Sequence, residues 1–347
     1  MERITLRPGP EEANYTTQLV VDIANDLGAI EKVFLEVQAV QRTLTTDEMS
    51  ELVGGVISRL GEGSVQEAMQ IAMSAAASLN TNSDSKDTSN QPTTTLASVE
   101  EANNSRKQLR ATAVAGVSLV KAKTVDSVKQ SGCTIAALTE SSDEISSDTQ
   151  TTAMGFVSGV TDTLKQYTDG SHGETPSVED TISSARCIVA SMANVGEAAQ
   201  KSFQSSIKTA NEVFGQHNES HEIDYDLPVT TLMSMMYELS TTTESPVTAT
   251  EVAATAAALE AAVDAVRDVS RNAHIASNAI AGSLLTSQAP GQPPVVLKAK
   301  SFELQAEREL VETAGNSTSR TQDGSFKMPS IGNILGNKSV DFIDKKI

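Results

Sequence analysis

Apolar residues recur at spacings of three and four along most of the chain, the pattern of helices that bury one face. The first stripe predicts a helix over about residues 15–44 and consists of Val20, Ile23, Leu27, Ile30, Phe34 and Val37. Similar stripes predict helices over about residues 49–60, 64–79, 98–120, 125–139, 147–167, 177–214, 227–239 and 248–285. The pattern therefore predicts a mainly α protein, either a multi-helix bundle or stacked helical hairpins.

Polar residues interrupt these stripes and suggest where the chain divides. Ser64–Glu67 and Ser98–Glu101 have the Ser-x-x-Glu order of a capping box, so each predicts a helix start. Gly61 and Gly63 predict the end of the helix before the first box. We predict helical segments over 1–80, 98–215 and 227–288, separated by polar linkers over 81–97 and 216–226.

The pattern changes after Pro290, Pro293 and Pro294. Short runs at 295–297, 301–304 and 326–328 are β-branched or alternate as strands do, with a polar run at 316–324 between them. Residues 289–347 are therefore predicted to be a short, incomplete β segment that follows the helices.

Composition narrows the classes of function. Aromatic residues make up 3% of the 347 residues and Trp is absent, so bulky side chains for shaping a dry catalytic pocket are scarce. The net charge is −19, and an acidic surface repels the phosphates of nucleic acids and anionic membranes. We expect no nucleic-acid partner.

An internal repeat aligns two helical segments at an offset of 54 residues. Val128, Ile135 and Leu138 match Ile182, Val189 and Met192, and Cys133 falls on Cys187. Repeated helical units suggest an interaction scaffold, although any two amphipathic helices can match at a chosen offset. The two cysteines are either free, buried small apolar residues or a disulfide, which needs Cα atoms within about 7 Å.

Candidate chemistry is sparse. The histidines are His172, His217, His221 and His274. His217 and His221 are four apart but lie in a polar break and lack the Glu that follows the first His of zinc proteases, so we interpret them as exposed. We predict no catalytic, cofactor-binding or metal-binding residues. Asn-x-Ser/Thr sequons mark possible N-glycosylation at Asn14, Asn103, Asn218, Asn316 and Asn337.

Three stretches resemble the extracellular helical region of polycystin and receptor-for-egg-jelly (REJ) proteins. One comprises residues 130–139 with the Asp-Glu-Ile-Ser run at 143–146, Gln150 and Ala153. Another is residues 65–80, and the tail at 301–304 and 326–330 is similar to the entry into the β part of the autoproteolysis-inducing (GAIN) region of that family. Ile145 stands where the family pattern has Leu, and no proteolysis motif, PLAT domain or channel helix follows.

The resemblance implies a non-catalytic stalk or interaction region at the extracellular face of the plasma membrane. It would bind a protein or glycan ligand at the cell surface and would be attached to the membrane only through flanking sequence of a larger protein. The pattern predicts neither a signal peptide nor a transmembrane helix within these residues. The alternative is an intracellular helical scaffold or signalling coil, which the Ala/Ser/Thr-rich heptads fit equally well. Neither interpretation fixes an oligomeric state.

Overall fold

The structure is a computed structural model that describes residues 14–24, 30–40, 46–84, 96–171, 175–217, 229–242, 246–300, 302–310, 318–321, 324–327 and 342–346. The described residues form eight α-helices and seven short or medium strands, so the mainly α prediction is confirmed. The chain separates into two compact units, Met1–Val117 and Ser118–Ile347.

The first unit contains a β-hairpin and three helices. Its elements are β1 (Asn14–Ala24), β2 (Ile30–Val40), α1 (Thr46–Gly61), α2 (Val65–Asp84) and α3 (Leu96–Ser118). Its core consists of small and medium apolar side chains, among them Met49, Val53, Met69, Leu79 and Val114. The chain leaves α1 through Gly63, whose φ of 80° suits a residue without a Cβ.

The helix expected over residues 15–44 is wrong, because this stretch forms the β1–β2 hairpin. The register pairs Leu19 with Leu35 and Val21 with Val33, in antiparallel order. The spacing of three and four is present, but a second set of apolar residues, which includes Leu19, Val21, Val33 and Leu35, alternates at every second position, and the stretch is rich in Val, Ile and Thr. β-branched residues favour strands, and this preference outweighs a coincidental helical period.

The two compact units divide the chain at the end of α3, within the segment predicted over residues 98–215, so α3 falls in the same unit as α1 and α2. A Cβ placed on Gly116 of α3 would lie 3.5 Å from Val56 Cγ1 and 3.6 Å from Ile57 Cγ1 of α1. The unit boundary therefore falls after α3, whereas the sequence prediction had placed it in the polar stretch over residues 81–97. The remainder of that segment, from Ser118 onward, belongs to the same unit as the segment predicted over 227–288.

The second unit is a helical bundle with a small sheet. Its helices are α4 (Val125–Leu138), α5 (Ser147–Thr168), α6 (Val178–His217), α7 (Val229–Thr242) and α8 (Pro246–Ser287), and a 3₁₀ turn (Ser142–Glu144) joins α4 to α5. The long helix α6 packs against α8 and α4, and α5 packs against α8.

Helix directions in the bundle follow from contacts between residues. Hydrogen bonds join Gly132 to Ser191 and Ala136 to Asn194. Residue numbers therefore increase in the same direction along both helices, and α4 runs parallel to α6. Ser287 at the end of α8 donates to Thr181 at the start of α6, so these two helices are antiparallel. The far ends of α6 and α8 hold a separate core with α7, which includes Val213, Leu232, Met236 and Leu259.

Three antiparallel strands lie against the bundle in the order β3 (Val295–Ala299), β4 (Phe302–Leu310) and β7 (Phe342–Lys346). Strand β3 contacts α6, whereas β4 and β7 contact α8. Leu297, Leu304 and Ala306 are buried by this packing. Strands β5 (Thr318–Thr321) and β6 (Gly324–Lys327) form a separate hairpin.

Candidate functional site

A disulfide joins the two cysteines of the chain and links α4 to α6. The Cα atoms of Cys133 and Cys187 are 4.7 Å apart, within the usual range for a disulfide. The sequence also allowed two free thiols, but neither cysteine is free in the structure. The sequence separation of 54 residues equals the offset of the internal repeat because that alignment places Cys133 on Cys187. The two aligned helices lie side by side and run parallel.

Small residues let the backbones of α4 and α6 come close beside the disulfide. A Cβ placed on Gly132 would lie 3.1 Å from Ile188 Cγ1. Ser191 Oγ donates to the Gly132 carbonyl at 3.1 Å, and Asn194 Nδ2 donates to the Ala136 carbonyl at 3.0 Å. We call this surface the α4–α6 seam, formed by Gly132, Cys133, Ala136, Cys187, Ser191 and Asn194. It is held by backbone-directed hydrogen bonds as well as by the covalent bond.

A charged cluster lies where the seam meets the 3₁₀ turn. Lys201 Nζ lies 3.0 Å from Glu197 Oε1 and 3.2 Å from Asp143 Oδ1, and it donates to Ser142 Oγ at 2.7 Å. The ammonium group of Lys300, in the β3–β4 turn, lies 3.3 Å from Glu197 Oε2. These four ionic residues, Asp143, Glu197, Lys201 and Lys300, connect the turn, α6 and the sheet.

The charges in this cluster shift each other's titration. The hydrogen bond from Lys201 lowers the pKa of Glu197 below its usual value, and Lys300 and Ser142 add to this effect. The hydrogen bond to Glu197 raises the pKa of Lys201, with a further contribution from Asp143. Both groups are therefore charged near neutral pH. The sequence did not reveal the cluster, because Lys300 is 103 residues from its carboxylate partner.

The residues that carry the polycystin/REJ resemblance build the connection from α4 to α5. Leu138 is fully buried, and the Thr139 hydroxyl donates to the Ile135 carbonyl at 2.7 Å, which closes α4. Gln150 is buried and its Nε2 donates to the Ile145 carbonyl at 3.1 Å. These residues therefore stabilise a tight helix–turn–helix, and the structure gives them a packing role.

An open groove of about 400 Å³ lies between α8 and the start of β4. Its lining is mostly small or polar: Ser270, Ala273, His274, Ser277, Asn278, Ala281, Phe302, Glu303 and Leu304. His274 and Asn278 are hydrogen-bonded to each other at 3.1 Å, and Glu303 lies 3.4 Å from Lys298 on the neighbouring strand. The volume is within the range of about 300–1,000 Å³ typical of ligand pockets. The sequence gave no signal for it, because strand β3 separates β4 from α8 along the chain and the groove forms only when the sheet packs on the helix.

The predicted glycosylation sites fall in different settings. Asn14 is the first residue of β1, and Asn103 lies within α3, where its side-chain oxygen accepts a hydrogen bond from Arg106. Asn218, Asn316 and Asn337 lie outside the described residues. His217 ends α6, and His221 is likewise outside the described residues.

Within the described ranges, no three His, Cys, Asp or Glu residues are grouped so that they could hold a metal ion. The described helices also include none with the length and apolar character needed to cross a membrane. The chain matches no protein-family model, no curated protein and no solved structure.

Proposed function

We propose that this chain is a non-catalytic, extracellular stalk or interaction region of a polycystin/REJ-like membrane receptor. The observation that carries the proposal is the Cys133–Cys187 disulfide across the α4–α6 seam. Disulfides persist in secreted and cell-surface proteins, whereas cytosolic reductants keep most thiols reduced. In an intracellular scaffold, cytosolic reductants would keep the thiols of Cys133 and Cys187 reduced, so this bond would not persist.

The bundle supports a role in presenting a surface to ligands or in transmitting force, rather than in catalysis. Its long helices α6 and α8 are 40 and 42 residues long and run antiparallel, so at about 1.5 Å per residue they extend about 60 Å. The charged cluster and the β3–β4 turn connect the side of this rod to the sheet. In the proposed receptor, such a rod would hold a ligand-binding surface away from the rest of the protein.

The test is to locate the protein in cells that make it and to map its cysteines. Antibodies against the chain are applied to intact and permeabilised cells, and free thiols are alkylated before peptide mapping. We expect staining of intact cells, unalkylated Cys133 and Cys187 in one linked peptide, and glycan on at least one sequon. Staining only after permeabilisation, with both cysteines alkylated and no glycan, would instead support the intracellular scaffold.

A further inference from the structure

Methionine is concentrated in helix α7. Three of the ten methionines of the chain, Met233, Met235 and Met236, fall within four consecutive residues of this 14-residue helix. Their side chains are flexible and polarisable, and they fill irregular gaps in a core. They are also chemically reactive, because a peroxide oxidises the thioether of methionine to a sulfoxide.

These methionines pack into the small core that α7 shares with the far ends of α6 and α8, which we call the α7 core. The described members from α6 and α8 are Phe203, Ile207, Ala210, Val213, Val252, Ala256 and Leu259. Among the described side chains of α7, the members are Val229, Leu232, Met233, Met235 and Met236. Methionine supplies three of these five, so the attachment of α7 to the two long helices depends largely on methionine.

The three methionines occupy different positions on the packed face of α7. Met236 lies one turn beyond Leu232, in the middle of this face, and is fully buried. Met233 and Met235 lie on the two flanks of the face, where each packs against the core and is half-buried. A small oxidant from solvent therefore reaches these two side chains at positions where their polarity affects packing.

The other described methionines differ from Met233 and Met235 in burial or in location. The buried ones outside α7 are Met49, Met69, Met154 and Met192. Met73 is half-buried, but it lies in α2 of the first unit. We therefore expect early oxidation in the second unit to fall on the two flanks of α7.

A sulfoxide on either flank of α7 would weaken the α7 core. Oxidation converts an apolar side chain into a polar one, and a polar group buried without a hydrogen-bond partner destabilises the packed state. A helix of 14 residues is marginal in water without tertiary contacts, so α7 depends on its packing against α6 and α8. Loss of this packing therefore releases the helix.

We propose that Met233 and Met235 form an oxidation-sensitive switch that attaches α7 to the ends of α6 and α8. A hydroperoxide transfers one oxygen atom to the sulfur: its O–O bond breaks, an S–O bond forms, the sulfur loses two electrons, and the peroxide is reduced to water or an alcohol. Oxidation detaches α7 and uncovers the apolar side chains of α6 and α8 in the α7 core. Methionine sulfoxide reductases, one for each sulfoxide epimer, reverse the change. This inference depends on the second unit alone and does not require the receptor assignment.

The test is limited oxidation of the full chain by hydrogen peroxide, followed by peptide mass spectrometry and hydrogen exchange. We expect sulfoxide at Met233 and Met235 before Met154 and Met192. Amide exchange in α7 should then be faster by about tenfold or more, with exchange in α4 unchanged. Treatment with both reductases should restore slow exchange in α7. The reference for that step is the unoxidised chain given the same reductant, because the reductant also opens the disulfide.

Two double variants and a matched control complete the test. Met233→Leu with Met235→Leu conserves apolar volume and removes the reactive sulfur atoms, so peroxide should leave α7 exchange unchanged while Met73 is still oxidised. Met233→Gln with Met235→Gln should speed α7 exchange without any peroxide. Met73→Gln is the control for a polar side chain at a half-buried methionine, and it should leave α7 exchange unchanged. Thermal melts verify that each variant remains folded.

Three results would overturn the proposal. The first is oxidation of Met233 and Met235 no earlier than that of Met154 and Met192. The second is complete oxidation of both flanks with unchanged exchange in α7, and the third is equal acceleration by peroxide in the double Leu variant. None of these results alters the staining of intact cells or the linkage of the cysteines, so this failure is distinguishable from failure of the proposed function.

Discussion

At the scale of single residues, Gly132 shows how closely α4 and α6 approach. The nearest neighbours of a Cβ at this position are Ile188 Cγ1 at 3.1 Å and Cys187 Cβ at 3.5 Å. Both belong to the helix on the other side of the α4–α6 seam, and the Ile188 backbone nitrogen is also 3.5 Å away. The close neighbour, and not the backbone conformation of Gly132 itself, therefore favours glycine at this position.

Replacing Gly132 should accordingly destabilise the protein in spite of the better helix propensity of alanine. Gly132→Ala gains about 0.5–1 kcal/mol of propensity but forces the Ile188 side chain to shift in the packed seam, and overpacking of this kind costs about 1–3 kcal/mol. We expect a net loss of about 1 kcal/mol in the free energy of unfolding, measured by urea denaturation. Gly159→Ala is the control, because nothing lies within 4 Å of a Cβ in that α5 position, and it should stabilise. Equal effects of the two substitutions would contradict the close approach.

The pH dependence of stability should include a contribution from Glu197. Its pKa in the folded chain is below the ordinary 4.5, so its stabilising contribution is present above pH 4.5 and disappears as the pH falls through the lowered pKa. Glu197→Gln should therefore lose less stability than the wild type between neutral and acid pH, as measured by urea denaturation at each pH.

The matched control for Glu197 is Glu212, whose carboxylate lies 3.8 Å from Lys208 Nζ in an exposed pair on the same helix. Exposed pairs of this kind contribute little. Glu212→Gln should leave the acid dependence of stability unchanged. If both substitutions altered it equally, the cluster around Glu197 would have no special role.

At the scale of elements, the helix α7 is held mainly by its own small core. Met236 is fully buried there among Leu232, Val213 and Leu259, and α7 packs on the far ends of α6 and α8. This core has no residue of α4 or α5 among its members. The two ends of the bundle should therefore open separately.

Truncating Met236 should expose α7 and leave the α4–α6 seam intact. Met→Ala in a core costs about 2–5 kcal/mol, which is a large fraction of the stability of a peripheral element. We expect faster hydrogen exchange for the amides of α7 in Met236→Ala and unchanged exchange for those of α4. Ser234→Ala, at an exposed position of the same helix, should change neither. Uniformly faster exchange would show that the bundle opens as one unit.

Elements were predictable from the sequence where one periodicity dominated. The helices α4, α5, α6 and α8 begin and end within a few residues of their predicted positions because their apolar stripes are long and have no competing pattern. Residues 15–44 fit two periods at once, and the spacing of apolar residues could not decide between them. Contacts such as that of Lys300 with Glu197 could not be predicted from the sequence, because they depend on how the sheet packs on α6 and α8.

At the scale of the whole molecule, the two units have separate cores, and the disulfide lies in the second. The bond closes a loop of 54 residues, which in the chain-entropy account stabilises the folded unit by about 4 kcal/mol. We expect two thermal transitions, and dithiothreitol should lower the midpoint of one and leave the other unchanged. The double replacement Cys133→Ser with Cys187→Ser should reproduce the effect of the reductant.

The control for the reductant is the double Ser variant treated with dithiothreitol, which should show no further change. One cooperative transition, or a reductant effect on both, would contradict independent units. The boundary after α3 was not predictable from composition, because the most polar stretch lies between α2 and α3. Helices on both sides of that stretch nevertheless pack together.

The disulfide also determines whether the products of proteolytic cleavage remain joined in this protein. Every peptide bond between Cys133 and Cys187 lies inside the closed loop, including the connection from α4 through the 3₁₀ turn to α5. A cut there would produce two polypeptides that remain attached through the sulfur atoms and migrate apart on a gel only after reduction. Cleavage in this region would therefore leave both parts of the chain joined, and releasing either part would require a second cut outside residues 133–187 or a reductant.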